Sequence, residues 1–165
     1  MIPLKVIEKL LNEQLMYQEK IHNNIVFVNR QKNFAEVHGT NSFTKSFHGV
    51  LRGSDSKSFW WFKTNHIDSN FKRIFICESA IDAMSLYSIH QTEKILRSDL
   101  YCSIAGVANQ QKIDVLKNYA GEKIKIFLAV DNDEAGERCR LRNKDCEYVI
   151  PKFKDWNEDW KNFLN

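Results

Sequence analysis

The stretch KIKIFLAVDNDEAG, residues 123–136, joins an apolar run to an acidic turn and decides the fold prediction. Its apolar residues, Ile124 and the run 126–130, predict a strand buried on both faces, as in a parallel sheet. Two carboxylates, Asp131 and Asp133, follow that strand directly. Open α/β sheets bind ligands at the carboxyl ends of their strands, and Mg²⁺ usually takes one or two protein carboxylates. A second interpretation stays open, because the same residue types are typical of turns and helix caps.

A second strand that ends in a carboxylate precedes this one, within RIFICESAIDAMSL at residues 73–86. Residues 74–77 are apolar and predict a short strand, Glu78 stands at its end, and a helical pattern follows. Two βα units of one parallel sheet bring the ends of their strands to the same edge. We therefore expect Glu78 to lie close to Asp131 and Asp133.

Taken together, ESAIDAMSL and AVDNDEAG resemble the toprim domain that bacterial-type primases, topoisomerases and some nucleases share. The family pattern has a Glu after the first strand and Asp-x-Asp after the third, which Glu78, Asp131 and Asp133 match. Asp82 and the Ala-Gly pair at 135–136 match the primase-like branch. The resemblance implies that Glu78 acts as a general acid or base, or as a metal ligand. It also implies that the two aspartates bind Mg²⁺ or Mn²⁺.

Near the end of the chain, KDWNED at residues 154–159 resembles a motif that closes this toprim subtype. Asp155 is then either a third metal carboxylate or the cap of a final helix, and the sequence leaves both interpretations open.

The chain changes character near residue 68, which predicts two domains, residues 1–68 and 69–165. The first contains an amphipathic helical pattern over residues 3–17 and four short apolar segments that predict an antiparallel meander, at residues 25–28, 34–37, 47–51 and 59–62. From Arg73 onward strands alternate with helices, which predicts a parallel, Rossmann-like sheet. The fold class is therefore α/β, with a Rossmann-like toprim core preceded by a small α+β subdomain.

Residues 38–62 resemble a domain of unassigned function that often precedes a primase-like toprim domain in plasmid and mobile-element proteins.

Two groups of side chains are candidates for nucleic-acid contact. A basic cluster after the aspartates can steer a nucleic-acid backbone toward the metal, and it can equally be a solvated helix face; it includes Arg138, Arg142 and Lys144. Trp60 and Lys63 lie in or beside an aromatic run that can stack single-stranded bases. The alternative for this run is a strand buried between two subdomains, since large aromatic side chains mostly bury area.

Composition limits the classes of function. With 43% hydrophobic and 27% charged residues, the sequence is typical of a globular protein, and its net charge of +3 permits a nucleic-acid partner without arguing for one. No apolar run is long enough to span a membrane, and the four cysteines lack the close pairing of a zinc site. We expect a cytoplasmic protein without a membrane partner. The five histidines are scattered, which favours structural or surface roles.

The leading hypothesis is a magnesium-dependent protein that acts on nucleic acid by primase-like nucleotidyl or phosphoryl transfer, in the replication or transfer of a mobile element. Its expected partners are single-stranded DNA and a replication or mobilisation protein. A toprim nuclease would use the same ion chemistry, and the sequence does not separate the two. The rival hypotheses are a non-catalytic toprim-fold module that binds a single strand or a replication protein, and an α/β scaffold whose acidic turn binds nothing.

Overall fold

The computed structural model describes residues 2–40, 47–64 and 71–164. The order of its elements is α1 (Leu4–Asn12), β1 (Met16–Gln18), β2 (Ile25–Val28), β3 (Ala35–His38), β4 (His48–Val50), β5 (Trp60–Lys63), β6 (Arg73–Cys77), α2 (Ala80–Thr92), β7 (Asp99–Ser103), α3 (Gln110–Ala120), β8 (Lys125–Ala129), α4 (Glu134–Arg142), β9 (Glu147–Tyr148) and α5 (Trp156–Phe163). No helix in these ranges is both long and apolar enough to cross a membrane.

The strands form two sheets. The first is antiparallel, with the order β1-β2-β3-β4, and the second has the order β5-β7-β6-β8-β9. In the second sheet β5 runs antiparallel to β7, and the other pairs are parallel. The predicted fold class, an α/β core with a parallel sheet preceded by an antiparallel meander, is confirmed.

Strand β6 lies at the centre of the second sheet and aligns its two neighbours. Its last residue, Cys77, is opposite Ser103 of β7 and Ala129 of β8. The three strands therefore end at nearly the same level, and the residues that follow them emerge at one edge of the sheet.

Helices cover both faces of this sheet, which explains why its strands are continuously apolar. Along β6, Phe75 and Cys77 pack with residues of α2 and α5, whereas Ile74 and Ile76 pack with residues of α3 and α4. On the first face four aromatic rings stack across β5, β7, β6 and β8, with centroids 5.1–5.5 Å apart; they are Phe62, Tyr101, Phe75 and Phe127. Cross-strand aromatic pairs of this kind stabilise a sheet and pin its register.

The antiparallel sheet and α1 share the core on that same face. Leu10 of α1, Leu15 and Phe27 belong to the same buried cluster as Trp60 and the apolar residues of α2. The Trp60 indole donates a hydrogen bond of 2.8 Å to the carbonyl oxygen of Leu15. One continuous hydrophobic core therefore spans the two halves of the chain.

Two details of the predicted meander are wrong. The aromatic segment is not its fourth strand, because β5 leaves that sheet and pairs with β7. The remaining strand of that sheet is β1, which overlaps the end of the segment predicted as helix. The helix ends early because Gln14 adopts a positive φ of 55°, which an α-helix does not accommodate. The division of the chain at residue 68 falls within residues 65–70, outside the described ranges, and stays a prediction.

The shared core gives a stability prediction. Leu10 is 0% exposed, whereas its neighbour Leu11 is 46% exposed. We expect Leu10→Ala to lower the free energy of unfolding by about 2–5 kcal/mol, because the cavity it creates is fully buried. Leu11→Ala is the control and should change it by less than about 0.5 kcal/mol. Urea denaturation measures both, and equal effects of the two variants would contradict the arrangement of α1.

Candidate metal centre

A cavity of about 300 Å³ opens at the carboxyl edge of the parallel sheet. Both sheets contribute to its lining, and its acidic members are Glu36, Glu78, Asp82, Asp131 and Asp155. The crowding of carboxylates at the ends of buried strands is the arrangement that the sequence predicts for Glu78 and Asp131.

Glu78 and Asp131 present carboxylate oxygens without partners. Among the described residues, Glu78 Oε2 and Asp131 Oδ1 are buried side-chain atoms that have no hydrogen-bond partner; Ser85 Oγ is the other such atom. A buried polar atom left unsatisfied costs about 1–3 kcal/mol, and more when it is charged. Two such oxygens on residues that line one cavity are a structural reason to expect a cation there.

Burial and neighbouring charge raise the pKa of these groups. Burial is the main cause for Asp131, whose pKa rises to about 8, with smaller effects from Asp82, Glu78, Asp155 and Asp133. Burial also raises the pKa of Glu78 to about 7, and repulsion from Asp133 and Asp82 adds to it. Without a cation, part of the cluster therefore holds protons near neutral pH. A bound cation would favour the ionised forms.

Asp133 and Asp155 each cap a helix. Asp133 accepts a hydrogen bond of 2.9 Å from the Gly136 N–H at the start of α4. Asp155 accepts one of 2.7 Å from the Glu158 N–H at the start of α5. The cap interpretation of Asp155 is thus realised, and its side chain also lines the cavity. Each of these caps uses one carboxylate oxygen, Oδ1.

Asp82, 5% exposed, connects two helices beneath the cavity. Its Oδ2 accepts from the Ser79 hydroxyl at 2.5 Å, and its Oδ1 accepts from the Asn157 N–H at 3.2 Å. Burial raises the pKa of Asp82 to about 6. Since both oxygens are engaged, this residue is best described as fixing the start of α5, and with it Asp155.

Glu36 is a member of the site that the sequence analysis missed. It lies on β3 and is 2% exposed, yet its carboxylate reaches the parallel sheet. It accepts hydrogen bonds from the Ala80 N–H at 3.0 Å and from the Ser103 hydroxyl. The available signal was a charged residue between Ala35 and Val37 in a predicted apolar strand.

The backbone of Asp131 is held by α4. A Cβ atom on Gly136 would lie 2.0 Å from the Asp131 carbonyl oxygen, so glycine is required for this close approach. The Arg140 guanidinium donates a hydrogen bond of 3.0 Å to the same oxygen. Arg140, which the sequence analysis left out of the site, therefore positions Asp131.

The donor set fits a cation that needs few protein ligands. Within residues 2–40, 47–64 and 71–164, no group of three or more His, Cys, Asp or Glu side chains is arranged to hold a metal ion. Mg²⁺ keeps several waters and commonly uses only one or two carboxylates. The unsatisfied oxygens of Glu78 and Asp131 match that requirement.

The basic residues predicted to bind nucleic acid have different surroundings. Arg138 is exposed and forms an ion pair with Glu134 on the same helix. Arg142 donates a hydrogen bond of 3.3 Å to the Val107 carbonyl. Lys144 lines a surface depression beside Asp133. Of the three, Lys144 is the one that the structure brings next to a carboxylate of the predicted site.

The two candidates on β5 are placed elsewhere. Trp60 is 0% exposed, so the base-stacking interpretation is wrong and the buried-strand alternative describes it. Lys63 is opposite Leu100 near the start of β7, at the amino end of the parallel strands. It therefore lies at the edge of the sheet opposite to Glu78 and Asp131.

The raised pKa values predict how stability depends on pH. The folded state binds protons on Asp131, Glu78 and Asp82 more tightly than the unfolded chain does. Their contribution is therefore complete below about pH 4 and is lost as the pH rises toward 8. In a chelator, we expect Asp131→Asn to flatten the fall in unfolding free energy between about pH 6 and 8. The exposed Asp114→Asn is the control; parallel curves for both variants and the wild type would contradict the assignment.

Comparison with known proteins agrees with the fold described above. The chain is similar to the primase fragment of the bacteriophage T7 primase-helicase protein, with 15% identity and a TM-score of 0.66, covering 99% of this chain and 68% of that one. A second similar chain comes from a structure of bacteriophage T7 lagging-strand DNA polymerase interacting with primase domains bound to an RNA/DNA hybrid and dTTP. The identity is again 15% and the TM-score 0.66, and the match covers 99% of this chain and 83% of that one. At this identity the likeness shows the fold.

No curated protein matches the sequence. The model of the Toprim-like family matches residues 75–160, more than half of the chain, and the chain therefore belongs to that family.

Proposed function

We propose that this protein is a divalent-metal-dependent phosphoryl- or nucleotidyl-transfer enzyme of primase-like type that acts on nucleic acid. The observation that carries the proposal is the pair of buried, unsatisfied oxygens on Glu78 and Asp131, at the ends of adjacent parallel strands. These residues would hold Mg²⁺ or Mn²⁺, with Asp133 and Asp155 at its periphery. The likeness of the fold to the T7 primase supports the choice of reaction class.

Phosphoryl transfer needs positive charge on the phosphoryl oxygens and a group that moves a proton. A bound divalent cation supplies the charge. Burial raises the pKa of the metal-free Glu78 carboxyl to about 7, so this group can exchange a proton near neutral pH when it is not a ligand of the cation; bound to the cation it would stay ionised. Its backbone is fixed as well, since the Glu78 carbonyl accepts a hydrogen bond of 2.9 Å from the Gly106 N–H.

The surface depression beside Asp133 is the proposed binding site of the nucleic acid strand. Lys144 and Arg140 line the depression there together with Tyr148, whose residue surface is 61% exposed. An aromatic ring between cationic side chains suits a single strand, which stacks its bases and places its phosphates near positive charge. Arg138 and Arg142 extend the basic surface along α4. The proposal includes a single DNA strand as the nucleic acid, a replication or mobilisation protein as partner, and a role on a mobile element.

The test compares Glu78→Gln with Glu93→Gln, two carboxylates at opposite ends of α2. In the presence of Mn²⁺ or Mg²⁺, nucleotides and labelled strands are screened for extension and for cleavage. We expect Glu78→Gln to lose about 10²–10⁴-fold in turnover, since it removes the carboxylate that moves the proton or binds the cation. Strand binding should stay within about a few-fold and should weaken as salt rises, because basic residues supply it. Glu93→Gln should behave as the wild type.

The outcomes separate the competing functions. Extension of a strand supports nucleotidyl transfer, and cleavage supports the nuclease alternative. If the wild type binds a single strand but neither extends nor cleaves it with any divalent ion, the enzyme proposal fails. The non-catalytic binding module then takes its place.

A further inference from the structure

The antiparallel sheet contributes Glu36 and two histidines to the lining of the cavity. His38 on β3 and His48 on β4 are cross-strand neighbours, and their ring centroids lie 6.2 Å apart. Both line the cavity that also contains Glu78 and Asp131. The His38 side chain is 13% exposed, whereas His48 is largely open to solvent.

His38 is held in one orientation. Its Nε2 lies 2.5 Å from Glu36 Oε1, and the edge of Phe27 packs against its ring at 5.6 Å between centroids. Glu36 is itself fixed by the Ala80 N–H and the Ser103 hydroxyl. A protonated imidazole donates from both nitrogens, so His38 can donate to Glu36 and to an anionic ligand at the same time.

The charge of the lining makes the two histidines significant. Among the described residues that line the cavity, the other ionisable side chains are carboxylates, and none is Lys or Arg. A phosphate group that approached a cation on Glu78 and Asp131 would meet negative charge on the remaining acidic residues. Among the described lining residues, the two histidines are the ionisable side chains that can offset that repulsion with charge-assisted hydrogen bonds.

We propose that His38 and His48, which line the same cavity as Glu78 and Asp131, bind a phosphate group of the nucleotide substrate. The proposal rests on the proposed function and deepens it by naming the groups that recognise the substrate. The phosphate belongs either to a free nucleoside triphosphate or to a phosphodiester of the strand. Both sources offer the same oxygens to the histidines, and the experiment separates them.

The experiment measures three affinities by calorimetry, for Mn²⁺ alone and then, in saturating Mn²⁺, for ATP and for a short oligothymidylate. His48→Ala is the principal variant because the exposed His48 side chain can be removed at little cost to the fold. His38→Ala is the second variant, and its thermal unfolding is measured alongside because it leaves Glu36 with one partner fewer. His22→Ala, an exposed histidine that does not line the cavity, is the matched control.

We expect each cavity variant to weaken binding of one phosphate ligand by about ten- to a hundredfold, as for a lost charge-assisted hydrogen bond. Mn²⁺ affinity should stay at the wild-type value, which a collapsed site would not allow. Loss confined to ATP identifies the triphosphate as the ligand, and loss confined to the oligonucleotide identifies the strand.

Unchanged binding of both ligands in His48→Ala and His38→Ala would overturn the histidine proposal and leave the proposed function intact. If the wild type binds Mn²⁺ but neither ligand, both proposals fail, because an enzyme that acts on nucleic acid must bind a nucleotide or a strand. If the wild type binds no Mn²⁺, the proposed function fails, and the histidine proposal fails with it.

Discussion

The parallel pairing of β6 with β8 is the constraint on which the candidate site depends. The two strands are buried on both faces and run in register, so that Cys77 stands opposite Ala129. Glu78 and Asp131 follow at the same edge, one and two residues beyond. Because packing fixes both strands, the carboxylates cannot move apart to relieve their repulsion. Burial raises the pKa of each group, and repulsion from neighbouring carboxylates adds to it.

Surrounding elements hold the carboxylates in place instead of neutralising them. Gly136 and Arg140 fix the Asp131 backbone, and Asp82 connects α2 to the helix that Asp155 caps. Like charges in a partly buried site oppose folding, and buried polar atoms without partners add to that cost. Such an arrangement is typical of a site that a ligand completes, since perturbed carboxylates concentrate at functional sites.

The antiparallel sheet does more than cover one face of the core. Glu36 reaches from β3 to the start of α2 and to the end of β7, which fastens this sheet against the carboxyl edge of the parallel one. The cavity is therefore lined by carboxylates that follow the parallel strands and, from the antiparallel sheet, by Glu36 and two histidines. The family match begins at residue 75, so the lining residues of the antiparallel sheet lie outside it.

Local sequence predicted the elements that position the carboxylates. The apolar run before Glu78 and the helical pattern after it predicted β6 and α2, which the structure contains. Pairing between distant strands was not predictable in this way. The sequence pattern of β5 fits a strand of the meander as well as an edge strand of the other sheet. Trp60 and Lys63 were therefore named together as candidates for nucleic-acid contact, although Trp60 is buried and Lys63 lies at the edge of the sheet opposite Glu78. Glu36 was missed for the same reason, because its partners are 44 and 67 residues away.

The proposed function requires Glu78 and Asp131 to hold a divalent cation together. Anomalous diffraction from crystals soaked in Mn²⁺ tests it directly. We expect a peak within about 2.5 Å of a carboxylate oxygen of each residue, close to the distance at which such ions bind oxygen ligands. The peak should be absent from crystals of Asp131→Asn that have the same fold. A wild-type map without a peak between Glu78 and Asp131, at an Mn²⁺ concentration that saturates other sites, would contradict it.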